Sequence, residues 1–159
     1  MNLRKLSLLS LPPLWLLFLI FLLICLAMSY DRGFNLWDTG YSIYPAVQIM
    51  DGYLPHRDFL TVYTGGVYYF YAFLFYLFGV EIGIIQIALA ILVGVSAIIT
   101  VRLAARFMPS PWYFIPGVIF LLSFPLNSTA YHSWYAVFCL LVMLGAVFFY
   151  LESETRRWL

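Results

Sequence analysis

Residues 82–101 read IGIIQIALAILVGVSAIITV, with Glu81 before them and Arg102 after. An uncharged run of this length makes an α-helix about 30 Å long, which matches the hydrocarbon core of a bilayer. Gly83 and Gly94 supply small residues of the kind that let membrane helices approach one another. Glu81 stands at the head of the run, where an acid suits the positive end of the helix dipole. The fold class follows from this stretch, and the rest of the chain is read outward from it.

Composition points the same way. Of 159 residues, 65% are hydrophobic, 21% aromatic and only 9% charged, against about 25% charged in an ordinary soluble domain. So few charges cannot cover a water-facing surface, which excludes a soluble enzyme and a disordered chain. Eight basic and seven acidic residues, with net charge +1, leave no basic patch for a nucleic acid. The sequence describes an integral membrane protein. Cys25 and Cys139 sit in apolar runs without a CxxC or a Cys/His neighbour. Neither a disulfide framework nor a metal site is expected, and no cofactor is implied.

Upstream, no charge occurs between Lys5 and Asp31. Residues 11–28 are read as a first span. A cleaved signal peptide competes, with Arg4 and Lys5 as its basic region, but the apolar run exceeds the usual h-region of about 7–15 residues. A lipoprotein cleavage site fails because Ile24 precedes Cys25. Downstream, the uncharged run from Phe107 to Leu151 is too long for one helix. The polar turn Asn127-Ser128-Thr129 divides it into spans at about 111–125 and 133–151. The run at 82–101 extends to a helix at about 82–104. The aromatic segment 67–78 is about 18 Å long as a helix, too short to cross. It is read as an interfacial helix, its tyrosines at headgroup level.

The expected architecture is therefore all-α: four transmembrane helices, a long first outer loop at 29–66, and short interfacial helices. With no crossing at 67–78, Arg4, Lys5, Arg102, Arg106, Arg156 and Arg157 fall on one side. Asp31, Asp38, Asp51, Asp58 and Glu81, five of the seven acids, fall on the other. That asymmetry places both termini in the cytoplasm and loop 29–66 outside.

Loop 29–66 is where chemistry is expected, since long loops in compact proteins usually carry function. Gly40 and Gly52 are read as bracketing a short helix, with Ser42 as N-cap and Pro45 in its first turn. Pro55 biases Leu54 to extended geometry, so the following segment should be irregular, and Gly65-Gly66 should turn into the interfacial helix. Asp38 follows the interface aromatic Trp37 and precedes Thr39-Gly40-Tyr41. A carboxylate there suits either a general base for an acceptor hydroxyl or a helix N-terminal cap.

The order of motifs resembles a known family. Trp37-Asp38-Thr39-Gly40-Tyr41 leads to Asp51-Gly52-Tyr53-Leu54-Pro55-His56-Arg57-Asp58-Phe59. Gly65-Gly66-Val67-Tyr68-Tyr69, Leu77-Phe78-Gly79 and Arg102-Leu103-Ala104-Ala105-Arg106 follow, and later Tyr131-His132-Ser133-Trp134-Tyr135. This resembles the N-terminal portion of the C-fold (GT-C) glycosyltransferases, in particular bacterial relatives of the dolichyl-phosphate-mannose protein mannosyltransferases. The likeness covers about residues 37–106. The chain departs from it in three ways: one acid, Asp38-Thr39, where many members have two; Gly65-Gly66 for Pro-Pro; and His56 for a tyrosine.

The resemblance implies transfer of a sugar from a polyprenyl-phosphate donor to an acceptor at the outer face of the membrane, with inversion at the anomeric carbon. Asp38 matches the family's catalytic acid. His56 and Arg57 are candidates to neutralise donor phosphate, although Asp58 and Asp51 are also available as partners for Arg57. Asp58, Tyr41 and His132 complete the candidate substrate-binding set. Family members carry many more spans. The chain is therefore expected to be the front part of a larger enzyme, inactive alone, whose partners are membrane lipid, the lipid-linked donor and further helices of the same enzyme or a partner subunit. A bacterial inner membrane is the expected location. The alternative is a non-catalytic four-helix accessory or scaffold subunit. An ion-coupled carrier is disfavoured, because the expected span interiors hold no charge.

Overall fold

The structure is a computed structural model, and it describes residues 12–29, 36–63, 65–126 and 132–157. Among these the chain is all-helical: α1 (Pro12–Ser29), α2 (Leu36–Met50), α3 (Gly66–Phe78), α4 (Ile82–Ala104), α5 (Phe114–Leu126) and α6 (His132–Arg157). Among the described residues, two stretches are long and apolar enough to cross a membrane, Ile82–Ala104 in α4 and Ser133–Ser153 in α6. The 18 residues of α1 reach about 27 Å and the 13 of α5 about 20 Å.

The core is a stripe on α4. Ile85, Leu89, Val93, Ala97 and Val101 recur every four residues and are buried. The buried Ser96 hydroxyl donates to the Leu92 carbonyl at 2.8 Å, so it adds no unpaired polar group. Around this stripe the helices come close. A Cβ at Gly94 would lie 3.4 Å from Leu26 Cδ1 and 3.7 Å from Leu22 Cδ2, which fits the packing role expected of this glycine. Gly117 is tighter: a Cβ there would collide with Val101 Cγ2 and lie 3.2 Å from the Phe18 ring. Trp15, Phe18 and Phe114 form an aromatic knot, with Trp15–Phe114 centroids 5.1 Å apart. The α5–α6 hairpin closes where Trp134 meets Phe120 and Phe124 edge-on at 5.7 and 5.5 Å.

These contacts fix which helix ends share a level. Phe18 of α1, Val101 of α4 and Gly117 of α5 meet at one end. There Arg106 pairs with Glu152 of α6 at 2.9 Å and lies over the Phe148 ring. At the other end α4 and α6 begin. Tyr135 of α6 packs edge-on against Tyr71 of α3 at 5.8 Å. The cap formed by α2 and α3 thus sits at the end opposite Arg106.

Three boundaries differ from expectation. α2 starts at Leu36, which puts Gly40, Ser42 and Pro45 inside it rather than at its start. Ala46 is fully buried, and Ile43, Val47 and Ile49 pack on the core. That burial outweighs the roughly 1 kcal/mol cost of a helical glycine. α5 starts at Phe114 rather than near 111. The amides of Phe114 and Ile115 bond three residues back, to Pro111 and Trp112, as a turn rather than an α-helix. α6 runs on through Glu152 to Arg157, because its last turns hold good helix formers and the Arg106–Glu152 pair.

Candidate functional site

The site grows from the end of α2. Gly52, at φ +89°, takes the left-handed conformation that glycine adopts without steric cost. Its amide bonds to the Ile49 carbonyl, and the Tyr53 amide to the Gln48 carbonyl, both at 3.0 Å. This is a Schellman closure, and it ends the helix where Gly52 was expected to. A compact turn follows at once. The Asp58 amide bonds to the Leu54 carbonyl at 2.9 Å, and the His56 amide to the Phe59 carbonyl at 2.9 Å. His56 sits at φ +63°, a left-handed position uncommon outside glycine and held here by the turn.

Asp58 organises the turn. Its carboxylate accepts from the Leu54 amide at 2.8 Å and from Arg57 Nε and Nη2 at 2.8 and 2.7 Å. Of the two acids within sequence reach of Arg57, Asp58 is the one it engages. The hydrogen bond from Arg57, and then that from Leu54, hold the Asp58 carboxyl below its ordinary pKa; the same pair raises Arg57. Thr61 lies 3.1 Å from His56 Nε2, and its hydroxyl donates to the Tyr63 carbonyl at 3.1 Å. With that proton committed, the hydroxyl acts as acceptor toward the imidazole. Thr61 was not among the sequence candidates, since nothing in its spacing from His56 marks it.

The turn rests on α3. Gly65, just before that helix, lies against Tyr69 and Pro55. α3 buries Tyr68, Tyr71, Ala72 and Phe75 on one stripe. Burial raises the pKa of Tyr68 and of Tyr71.

Of the candidates, His56, Arg57 and Asp58 are brought together in one turn. Tyr41 is exposed on α2. Asp38 lies in the first turn of α2, about 18 Å along the helix axis from Met50. It is thus at the opposite end of α2 from the turn. His132 is the first residue of α6. The side chains of Asp38 and His132 lie outside the described residues, as do Asp31 and Asn127-Ser128-Thr129. Among the described residues, no group of three or more His, Cys, Asp or Glu side chains is placed to hold a metal. Compared with models of known families, with curated proteins and with solved structures, the chain finds no match.

Proposed function

We propose that this chain is the front part of a multi-pass membrane glycosyltransferase acting on a polyprenyl-phosphate-linked sugar. In this reading α1, α4 and α6 cross the bilayer, the turn at 111–113 extends α5 to a fourth crossing, and the α2–α3 cap faces the outer side. The observation that carries the reading is the position of α2. It is a helix with an acid in its first turn, docked on an aromatic helix, at the end of the bundle away from Arg106.

Asp38 acts as general base. Its carboxylate takes the proton of the acceptor hydroxyl, the freed oxygen bonds to the anomeric carbon, and the phosphate leaves with the electrons of the broken bond. His56 and Arg57 follow the other end of α2 in sequence, and in this reading they neutralise the donor phosphate. The further helices that complete the donor pocket belong to the same enzyme or to a partner subunit.

The test is Asp38→Asn in the complete gene product in its native membrane, with transfer from a polyprenyl-phosphate sugar as readout. Transfer should fall by about 10²-fold or more while the protein still inserts and assembles. Full transfer by this variant overturns the assignment.

One observation favours the second reading, an accessory or scaffold subunit. The Arg57 guanidinium is engaged bidentately by Asp58, as a structural pair would be.

A further inference from the structure

The outer face of α3 is as apolar as its buried one. Tyr68, Tyr71, Ala72 and Phe75 turn inward, and between them Tyr69, Phe70, Phe73, Tyr76 and Leu77 turn outward, with Tyr76 80% exposed. No residue of the helix is charged. A helix resting on a core in water carries polar residues on its free stripe, and this one carries aromatics.

The preceding loop is apolar and exposed as well. Leu60 is 95% exposed and Val62 and Tyr63 are also exposed, a few residues beyond the turn that packs on Tyr69. The charges in that turn cancel, because Arg57 and Asp58 neutralise one another.

What covers this surface follows from its attachment. Only Gly79, Val80 and Glu81 separate α3 from α4. From Phe78 to Ile82 that link reaches at most about 14 Å. α4, with 23 residues, is about 34 Å long and fills the ~30 Å hydrocarbon core, so Ile82 lies at its boundary. The outer face of α3 is therefore held within reach of the headgroups.

We infer that the cap is seated in the bilayer interface, with the α3 stripe Tyr69–Phe73–Tyr76 and the loop side chains Leu60 and Val62 dipping below the headgroups. The occupant of the surface is lipid. Aromatic rings suit that depth, and an apolar helix face there is buried by about 5–10 Å. The inference rests on α4 crossing the membrane but not on sugar transfer.

Spin-label depth measurements on the full chain in vesicles of phosphatidylcholine and phosphatidylglycerol test it. Cys25 and Cys139 are first replaced by alanine. Single labels then go at Leu60→Cys, Tyr76→Cys, Asp51→Cys and Ile91→Cys, the last being 61% exposed midway along α4. Each label is probed with oxygen, which concentrates in lipid, and with a water-soluble nickel chelate. Labels at 60 and 76 should favour oxygen, at a depth just below the phosphates, while 51 favours nickel and 91 is deepest. If 91 is deep but 60 and 76 favour nickel, the seating is overturned and the span survives. If 60 and 76 are shielded from both probes, protein covers the face and the lipid assignment is overturned. If 91 favours nickel, α4 does not span and the inference falls with it.

Discussion

At the scale of single residues, the turn at 54–58 depends on one carboxylate. Asp58 is held below its ordinary pKa by Arg57 and Leu54. Its folded value is below its unfolded one, so its contribution is complete above about pH 4 and is lost as pH falls through the folded value. The Leu54 amide reports this directly. Its protection from hydrogen exchange, taken against the intrinsic rate at each pH, should be high near neutrality and fall in acid, and Asp58→Asn should show the low protection throughout. An unchanged rate in that variant would mean that the turn does not need the carboxylate. Gly117 makes a second residue-scale test. Alanine there meets Val101 and the Phe18 ring, both buried. Gly117→Ala should destabilise by about 1–3 kcal/mol, read from unfolding in mixed micelles, despite the better helix propensity of alanine. Gly94→Ala, whose neighbours lie 3.4 Å away or more, should cost less.

At the scale of elements, the helices were legible where hydrophobic runs met strong punctuation. Ile82–Ala104 begins after Glu81 and ends near Arg102, as the charge pattern required. Gly65-Gly66 precedes and opens α3, and Gly52 closes α2 because its φ of +89° favours glycine. The start of α2 was not legible. Gly40 and Pro45 are strong local signals, yet packing of Ala46 and its neighbours on α3 and the core overrides them. The turn pair Arg57–Asp58 was visible as one of two options. The Thr61–His56 contact was not, because it depends on how the turn closes. Nothing local marks Gly117 either, since its tight fit involves α1 and α4, both distant in sequence. Trp134 offers a test of the α5–α6 hairpin. It is buried between Phe120 and Phe124, so Trp134→Ala should cost about 3–5 kcal/mol in the same unfolding assay. A loss below 1 kcal/mol would show that α6 holds its place without this contact.

At the scale of the whole molecule, the two ends differ in the balance of their charges, although each holds one ion pair, Arg106–Glu152 or Arg57–Asp58. Arg102 and Arg106 mark one end of the bundle, and Asp51, Asp58 and Glu81 belong to the other, where α2, α3 and the start of α4 meet. On the proposed topology, thiol reagents that do not cross the bilayer should reach Asp51→Cys from outside and Arg102→Cys only from the cytoplasm. Labelling of both from one side would refute the arrangement. The Arg106–Glu152 pair is half-open to solvent, with side chains 28% and 53% exposed. It should contribute at most about 1 kcal/mol, so Glu152→Gln should leave both stability and labelling nearly unchanged.

The short corner between α3 and α4 has one more consequence. Gly79, Val80 and Glu81 leave little slack, and backbone bonds from Gly79 to Phe75 and from Glu81 to Gly79 shorten it further. Two rods joined this closely behave as a bent lever. A helix longer than the surrounding hydrocarbon tilts to fit, and any lean of α4 then swings α3 and, through Tyr69, the turn that carries His56 and Arg57. On the proposed topology, acyl-chain length becomes a dial on the geometry of the cap, with no ligand needed to move it.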